Sequence, residues 1–411
     1  MRYSVLSYIA LAALTAMIGS NALAADDYTK LRFATFNASL YAAKPGELAE
    51  RLRNRKDDQL KRVAGIIQAV RPDVLLINEF DYDSTGRSVE DFIFNYLMRG
   101  QFGLDGIRYR FSYVGPVNTG IASPYDLNRD GKVEGPGDAW GYGAYPGQYG
   151  MLVLSRYPIA TRQLRTFRLF KWKDMPNALL PIHGSGQAWY SDTMLRWFPL
   201  SSKSMWDVPI WTGSSLVHFI VSHPTPPAFD GDEKRNSRRN HDEIRLVADY
   251  VSGDQERSAY IYDDEGHRGG LESDHPFVIA GDLNADPLDG NSHPGAIDQL
   301  LKHDRIGSEP IPASEGGPES AHRMGGSNLT HRGDPAHDTA VFGDPPGNLR
   351  VDYVLPSNDI RIVDSGVYWP LSTENGAALL DATDHRLVWV DLEIPASKPG
   401  IDRRPRVGKN R

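Results

Sequence analysis

The sequence predicts an α/β protein whose sheets are covered on one side by helices. Two observations carry this. Short β-branched or apolar runs recur along most of the chain, and the helical patterns between them are apolar along a single face. A third observation bears on function: several of the strand runs end in a polar residue that does not belong in a core.

The first strand is read at 31–37. Asp57 and Asp58 then stand at capping positions. Leu60, Val63, Ile66, Ile67 and Val70 follow at steps of three and four, the apolar stripe of a helix that Pro72 stops. A buried-type strand follows at 74–78. Further strands are read at 109–114, 152–154, 216–222, 277–280, 351–355 and 387–392. A second helix is read at 239–251, with Ile244, Val247, Ala248 and Val251 facing inward. These elements alone fit a sandwich or a barrel. Two long segments break the rhythm. Residues 116–149 are dense in Gly, Pro, Asp and aromatic residues, and 171–212 hold Trp172, Trp189, Trp197, Trp206 and Trp211 with little periodicity. Connections of that length in a compact domain usually carry function or are insertions. The aromatic content of 171–212 reads as packing over the sheets, with contact to a lipid surface as the other reading. Residues 305–348 form a third stretch, rich in Gly, Pro and His.

Composition narrows the functional classes. The chain has 411 residues, 40% apolar and 24% charged, as in an ordinary globular protein. It has no cysteine, which excludes disulfides, thiolate-bound zinc, iron–sulfur clusters and a thiol nucleophile. Residues 1–24 read as a secretory signal peptide, with Arg2 at the start, an apolar stretch from Val5 to Ile18, and cleavage after Ala24. The expected location is therefore secreted or periplasmic. The tail 398–411 carries six basic residues and one acid and reads as solvated chain. The net −8 of the whole chain thus divides into two ends and a body of 38 basic and 52 acidic residues, a net of −14. Such a body repels polyanions unless metal ions or basic clusters intervene. Residues 25–397 read as one domain. No stable membrane insertion is expected, and a monomer is favoured.

The strand-end residues form a coherent set. They are Asn37, Glu79 after 74–78, His223 after 216–222, Asp282 and Asn284 after 277–280, Asp352 at the start of 351–355, and Asp384 with His385 before the last strand. In α/β folds ligands sit at strand ends, where side chains from many elements converge. Carboxylates and amides without thiolates suit a hard cation such as Mg²⁺ or Mn²⁺. An Asp–His pair and a second histidine add general acid–base and charge-stabilising groups. Together they suit attack of water on a phosphate ester.

Five motifs stand in order: FATFN at Asn37, PDVLLINEF at Glu79, VIAGDLNADP at Asp282 and Asn284, RVDYVLP at Asp352, and ATDHRLV at Asp384 and His385. On these the chain resembles the endonuclease/exonuclease/phosphatase superfamily (deoxyribonuclease I-like) over residues 31–393, and within it a secreted bacterial branch. The resemblance implies a four-layer sandwich of two mixed β-sheets packed face to face and flanked by helices. It implies a metal on Glu79 with Asn37 and Asp384 near it, and Asp282 orienting the attacking water. Asn284 would hold a phosphate oxygen. His385 would contact the scissile phosphate, with Asp352 fixing its tautomer, and His223 would assist the leaving group.

The expected activity is a secreted, Mg²⁺- or Mn²⁺-dependent phosphodiesterase acting on nucleic acid or another phosphodiester. Nuclease-like action comes first, and phosphomonoesterase or sphingomyelinase-type action second. A non-catalytic, calcium-stabilised binding protein on the same fold is the rival. Asn236 and Arg239, in the basic cluster after the His223 loop, are candidates to grip phosphate. A calcium loop is read at 126–138, with Asp126, Asn128, Asp130, Lys132 and Glu134 at ligand spacing and Gly131 at the turn. Gly137 stands where a bidentate Glu is usual, and structural Ca²⁺ would replace the missing disulfides. No nucleophile elbow, dinucleotide fingerprint or zinc-ligand spacing is found.

Overall fold

The computed structural model describes residues 28–396; the leader read at 1–24 and the tail read at 398–411 lie outside the described residues. In chain order the strands are β1 (Tyr28–Leu40), β2 (Val74–Phe80), β3 (Phe111–Val114), β4 (Met151–Ser155), β5 (Arg165–Thr166), β6 (Met205–Trp211) and β7 (Leu216–Ser222). There follow β8 (Phe277–Asp282), β9 (Ala340–Val341), β10 (Asn348–Leu349), β11 (Asp352–Pro356), β12 (Arg361–Val367) and β13 (Val388–Pro395). One sheet runs β12-β13-β1-β2-β4-β3 and the other β11-β8-β7-β6-β5. Both are mixed: β1 and β2 are parallel, as are β7 and β8, and the remaining neighbours are antiparallel. β9 and β10 form a separate two-stranded ribbon.

The two ladders stack into a sandwich and do not close into a barrel. Successive side chains of a strand point to opposite faces, and here both faces are apolar. Leu31 and Phe33 of β1, Val74 and Leu76 of β2, Val217, Phe219 and Val221 of β7 and Val278 and Ala280 of β8 meet in one core between the sheets. The Phe33 and Phe219 rings touch edge to face across it, with centroids 5.4 Å apart. The alternate residues, Ala34, Phe36, Leu75 and Ile77, pack outward under the helix Asp58–Val70. On the far side Ile220, Phe277 and Ile279 pack under the helix Arg235–Tyr250. Four layers result: helix, sheet, sheet, helix. The first helix begins as its sequence predicts, with the Asp57 side chain accepting the Leu60 N–H, and ends at Arg71 in the left-handed conformation just before Pro72.

The segment 171–212 is shorter as a loop than its composition suggests. It contains β6, paired along its whole length with β7. Asp207 and Pro209 hide that strand from pattern reading. Asp207 is buried and bonded to His218 and Tyr250. The Pro209 carbonyl accepts the Ala160 N–H, so its nitrogen also faces the outer edge and its missing donor takes nothing from the β7 ladder. Trp172 and Trp206 are buried, which bears out packing, while Trp197 is exposed. β12 is also absent from the sequence reading. It is a largely exposed edge strand with a register shift between Ile362 and Asp364, and its polar residues give no alternation.

The pairing registers place 115–150, 198–204, 223–236 and 368–386, with the residues directly after β8 and directly before β11, at the same end of the sandwich as the C-termini of β1, β2, β7 and β8. The long connections are therefore gathered where the polar strand ends are. Phe219→Ala is expected to lower stability by about 3–5 kcal/mol through a cavity between the sheets. Urea unfolding should show this as a lower midpoint at unchanged slope; a loss under about 1 kcal/mol would mean that the sheets are not held by this core.

Candidate active site

Alternation carries the inner faces of the strands from apolar to polar at one end. Leu31, Phe33 and Thr35 lead to Asn37; Val74 and Leu76 lead to Asn78; Val217, Phe219 and Val221 lead to His223; Val278 and Ala280 lead to Asp282. Asn37, Asn78, His223, Asp282, Asp352 and His385 are all buried. They form a polar floor on top of the inter-sheet core.

Asp282 is its centre. Asn37 Nδ2 donates to Asp282 Oδ2 at 3.0 Å, joining the two sheets. His223 Nε2 lies 3.4 Å and His385 Nε2 3.7 Å from the same oxygen. The Asn284 N–H donates to Asp282 Oδ1 at 3.0 Å, and the Asp282 N–H to Asn78 Oδ1 at 3.3 Å. Burial opposes the charge on Asp282, but His385, His223 and Asn37 outweigh it and hold the carboxyl well below its ordinary range. Gly281 makes this geometry attainable, since a Cβ there would lie 2.1 Å from the Ser222 carbonyl oxygen of β7.

The two histidines are tuned in opposite directions. His385 is buried, which lowers its basicity, yet the charges of Asp352 and Asp282 and the 2.9 Å contact of Nδ1 with Asp352 Oδ2 raise it to about 10. Thr339 Oγ1 donates to the same Asp352 oxygen at 2.8 Å. His223 is lowered to about 4, first by burial and then by Lys203. The surroundings thus favour the charged form of His385 and the neutral form of His223.

Glu79 is the penultimate residue of β2 and by alternation would point outward with Leu75 and Ile77. Its φ is instead 61°, and Asn37, His385 and Lys203 all lie near enough to favour its charged form. A non-glycine residue held left-handed at a site is strain that the surroundings must maintain. Asn284 has φ 52°, with Nδ2 on the Pro224 carbonyl at 3.2 Å. Burial raises the Glu79 carboxyl to about 7, although His385 and Lys203 are near enough to lower it. Asp384 is exposed, at the outer rim. Asn37, Glu79, His223, Asp282, Asn284, Asp352, Asp384 and His385 are thus brought to one end of the sandwich.

Two further groups of expected site residues have partners within the protein. The buried Arg239 guanidinium donates to the carbonyls of Leu200, Trp140 and Pro199 and stacks on Phe198. Asn236 uses its amide on the Ala228 carbonyl at 2.6 Å, bracing the loop after His223. In the 126–138 loop the side chains face backbone N–H groups. Asp126 accepts from Asp130 and Gly131, Asn128 from Asp130, and Asp130 from Lys132, while Lys132 pairs with Glu134. Lys203, Asn78 and Thr339 were not singled out from sequence. Asn78 could have been, since strict alternation puts it on the inner face; Lys203 and Thr339 lie in segments without a periodic signal.

Among the described residues two groups have ligand atoms within 4.8 Å of one another, and only Asp282, Asp352 and His385 are buried. In this group His385 lies between the two carboxylates, with Nδ1 2.9 Å from Asp352 Oδ2 and Nε2 3.7 Å from Asp282 Oδ2. Glu79, its carboxyl raised by burial, offers a further oxygen donor at the same end.

A four-layer α/β sandwich with acids, amides and histidines at its strand ends defines a phosphoester hydrolase type of site. The comparisons agree. The chain belongs to the endonuclease/exonuclease/phosphatase family, whose profile matches residues 34–385. Among solved structures it is similar to an endonuclease/exonuclease/phosphatase from Beutenbergia cavernae, at 18% identity over 89% of this chain and 72% of that one, with a TM-score of 0.48. It is also similar to beta toxin from Staphylococcus aureus, at 14% identity over 88% and 99%, TM-score 0.42. The human Nocturnin catalytic domain with bound sulfate gives 13% identity over 89% and 93%, TM-score 0.42. No curated protein matches the sequence.

Asp352→Asn removes the partner of a buried cation and is expected to cost about 3 kcal/mol near neutral pH. The folded basicity of His385 is raised, so its contribution is fully present below about pH 6.5 and is lost as pH rises through about 10. Urea denaturation of both proteins in EDTA from pH 6 to 10.5 should show the gap narrowing toward the alkaline end. A gap independent of pH would contradict the imidazolium.

Proposed function

We propose that the protein is an exported, divalent-metal-dependent phosphodiesterase with nuclease-like activity. One observation carries the reading: buried Asp282 accepts from Asn37 and lies 3.4 Å from His223 Nε2 and 3.7 Å from His385 Nε2, at the same strand ends as Glu79. Glu79, with Asn37 and Asp384, would hold Mg²⁺ or Mn²⁺. These are hard oxygen donors, and the upward shift of the Glu79 carboxyl is what a nearby divalent charge would reverse. When bound, the ion supplies charge neutralisation at the phosphate.

The chain's own residues supply the rest. Asp282 is too weak a base to strip water completely, and it orients the water's O–H for in-line attack. His385 presents Nε2–H and a positive charge to the non-bridging phosphate oxygens as negative charge builds there, and Asp352 on Nδ1 fixes that orientation. Asn284 keeps one amide hydrogen beyond its bond to Pro224 for a phosphate oxygen. His223, held neutral, donates a hydrogen bond on the leaving-group side. Lys203 lies buried close to Glu79, Asp282 and His223; burial lowers its basicity, and Glu243, Glu79 and Asp282 favour its charged form. The acidic body favours single-stranded or small substrates over tight, nonspecific duplex binding. No helix among the described residues is long and apolar enough to cross a membrane. The pattern at 1–24 supports export, with cleavage after Ala24.

With bis(p-nitrophenyl) phosphate and Mg²⁺ or Mn²⁺, EDTA is expected to abolish turnover. Asp282→Ala should lower kcat by roughly 10²–10⁴-fold at unchanged circular dichroism. Equal rates in all three conditions would overturn the hydrolase reading. Supercoiled plasmid that stays intact with both metals, while the aryl diester is cleaved, would remove the nuclease part alone.

A further inference from the structure

Beside Glu79 the site wall is aromatic, and the mechanism above does not use it. Tyr41 directly follows β1, and Tyr149 stands two residues before β4. Their rings lie 4.6 Å apart, tilted by 51°. Tyr41 is 39% exposed, and Tyr142, further along the same wall, is 68% exposed. Both phenols of the pair are raised, first by burial and then by their neighbours, Glu79 among them; Tyr149 reaches about 12. The pair lies close enough to Glu79 for its charge to act on both phenols.

The wall is a built feature. Asp81, buried and two residues after Glu79, accepts the Tyr149 N–H at Oδ1 (3.1 Å) and the Ala42 N–H at Oδ2 (2.9 Å). Oδ2 also accepts the Tyr145 hydroxyl at 2.6 Å. Gln148 Nε2 donates to the Ala42 carbonyl at 2.8 Å, tying the two segments together again. Tyr149 is held at φ 57°, and a Cβ at Gly120 would lie 1.7 Å from the Tyr145 carbonyl oxygen, so the loop fits closely. One carboxylate thus fixes both aromatic segments to the strand that carries Glu79. Exposed rings whose backbone is already fixed bind planar partners without an ordering cost.

We propose that Tyr41 and Tyr149, extended by Tyr142, form a stacking subsite for a nucleobase attached to the phosphate held at the Glu79–Asp282–His385 centre. The preferred substrate class is then nucleotide esters and single-stranded nucleic acid. Stacking tolerates every base, so little sequence preference is expected. The inference rests on phosphate binding at that centre, but its test does not require turnover.

Calorimetric titration with Mg²⁺ present compares AMP with ribose 5-phosphate, which share the sugar phosphate and differ in the base. The wild-type protein is expected to bind AMP at least tenfold more tightly. Tyr41→Ala and Tyr149→Ala should each remove most of that ratio while leaving ribose 5-phosphate binding within about twofold, and Tyr41→Phe should keep it. Equal affinity for the two ligands, or a ratio that survives both alanine variants, would overturn the subsite. A protein that discriminates AMP in this way but hydrolyses no phosphodiester would refute the proposed function and leave the subsite standing.

Discussion

An anion buried between two β-sheets is the constraint around which the rest is arranged. Taking a carboxylate out of water is costly unless charge and hydrogen bonds replace the lost hydration. Asp282 receives them from both sheets: Asn37 from β1, His223 from beyond β7, and His385 just before β13. These groups meet only if the sheets stack at one particular offset. The apolar layer of Phe33, Phe219, Val278 and their neighbours supplies the attraction without direction, and the polar layer above it supplies the direction. Catalytic geometry and fold are in this sense one problem.

The same burial divides the labour between side chains of like chemistry. Two histidines within 4 Å of one carboxylate would have similar basicity in water. Here Asp352 raises the basicity of one, and burial near Lys203 lowers that of the other. Environments that push like groups apart are how a site acquires both a charge-stabilising donor and a neutral one at a single pH. Glu79 is distinguished by backbone: its left-handed φ takes it off the outer face and places it at the open rim, between the polar floor and the tyrosine wall.

Much of this was legible in the sequence because the site repeats the strand pattern. Asn37, Asp282 and His223 continue the inner-face alternation of their strands, so locating the strands located them. The helix Asp58–Val70 was legible for the same reason, with a cap, a stripe and a stop. What resisted reading was whatever departs from local periodicity. β6 is hidden by Asp207 and Pro209, whose partners are distant in sequence. Lys203 joins the site only through that hidden strand. Arg239, in a basic cluster beside a motif, invited a phosphate-binding role, yet three backbone carbonyls occupy it. Nothing local distinguishes an arginine that holds a loop from one that holds a ligand.

The acidic body and the cationic floor are complementary. The excess of carboxylates discourages long polyanions, while a few buried cations and amides offer a focused place for one phosphate. The central claim is that the Asp282 carboxylate, at the centre of the site, also fastens the sheets together. It is tested most directly by a double-mutant cycle on unfolding free energy with Asn37→Ala, Asp282→Ala and the pair, measured in urea with metal removed. A hydrogen bond to a buried charge predicts a coupling of about 1 kcal/mol or more between the two positions. Strict additivity, within about 0.3 kcal/mol, would show that Asn37 and Asp282 do not hold the sheets together and would contradict the account.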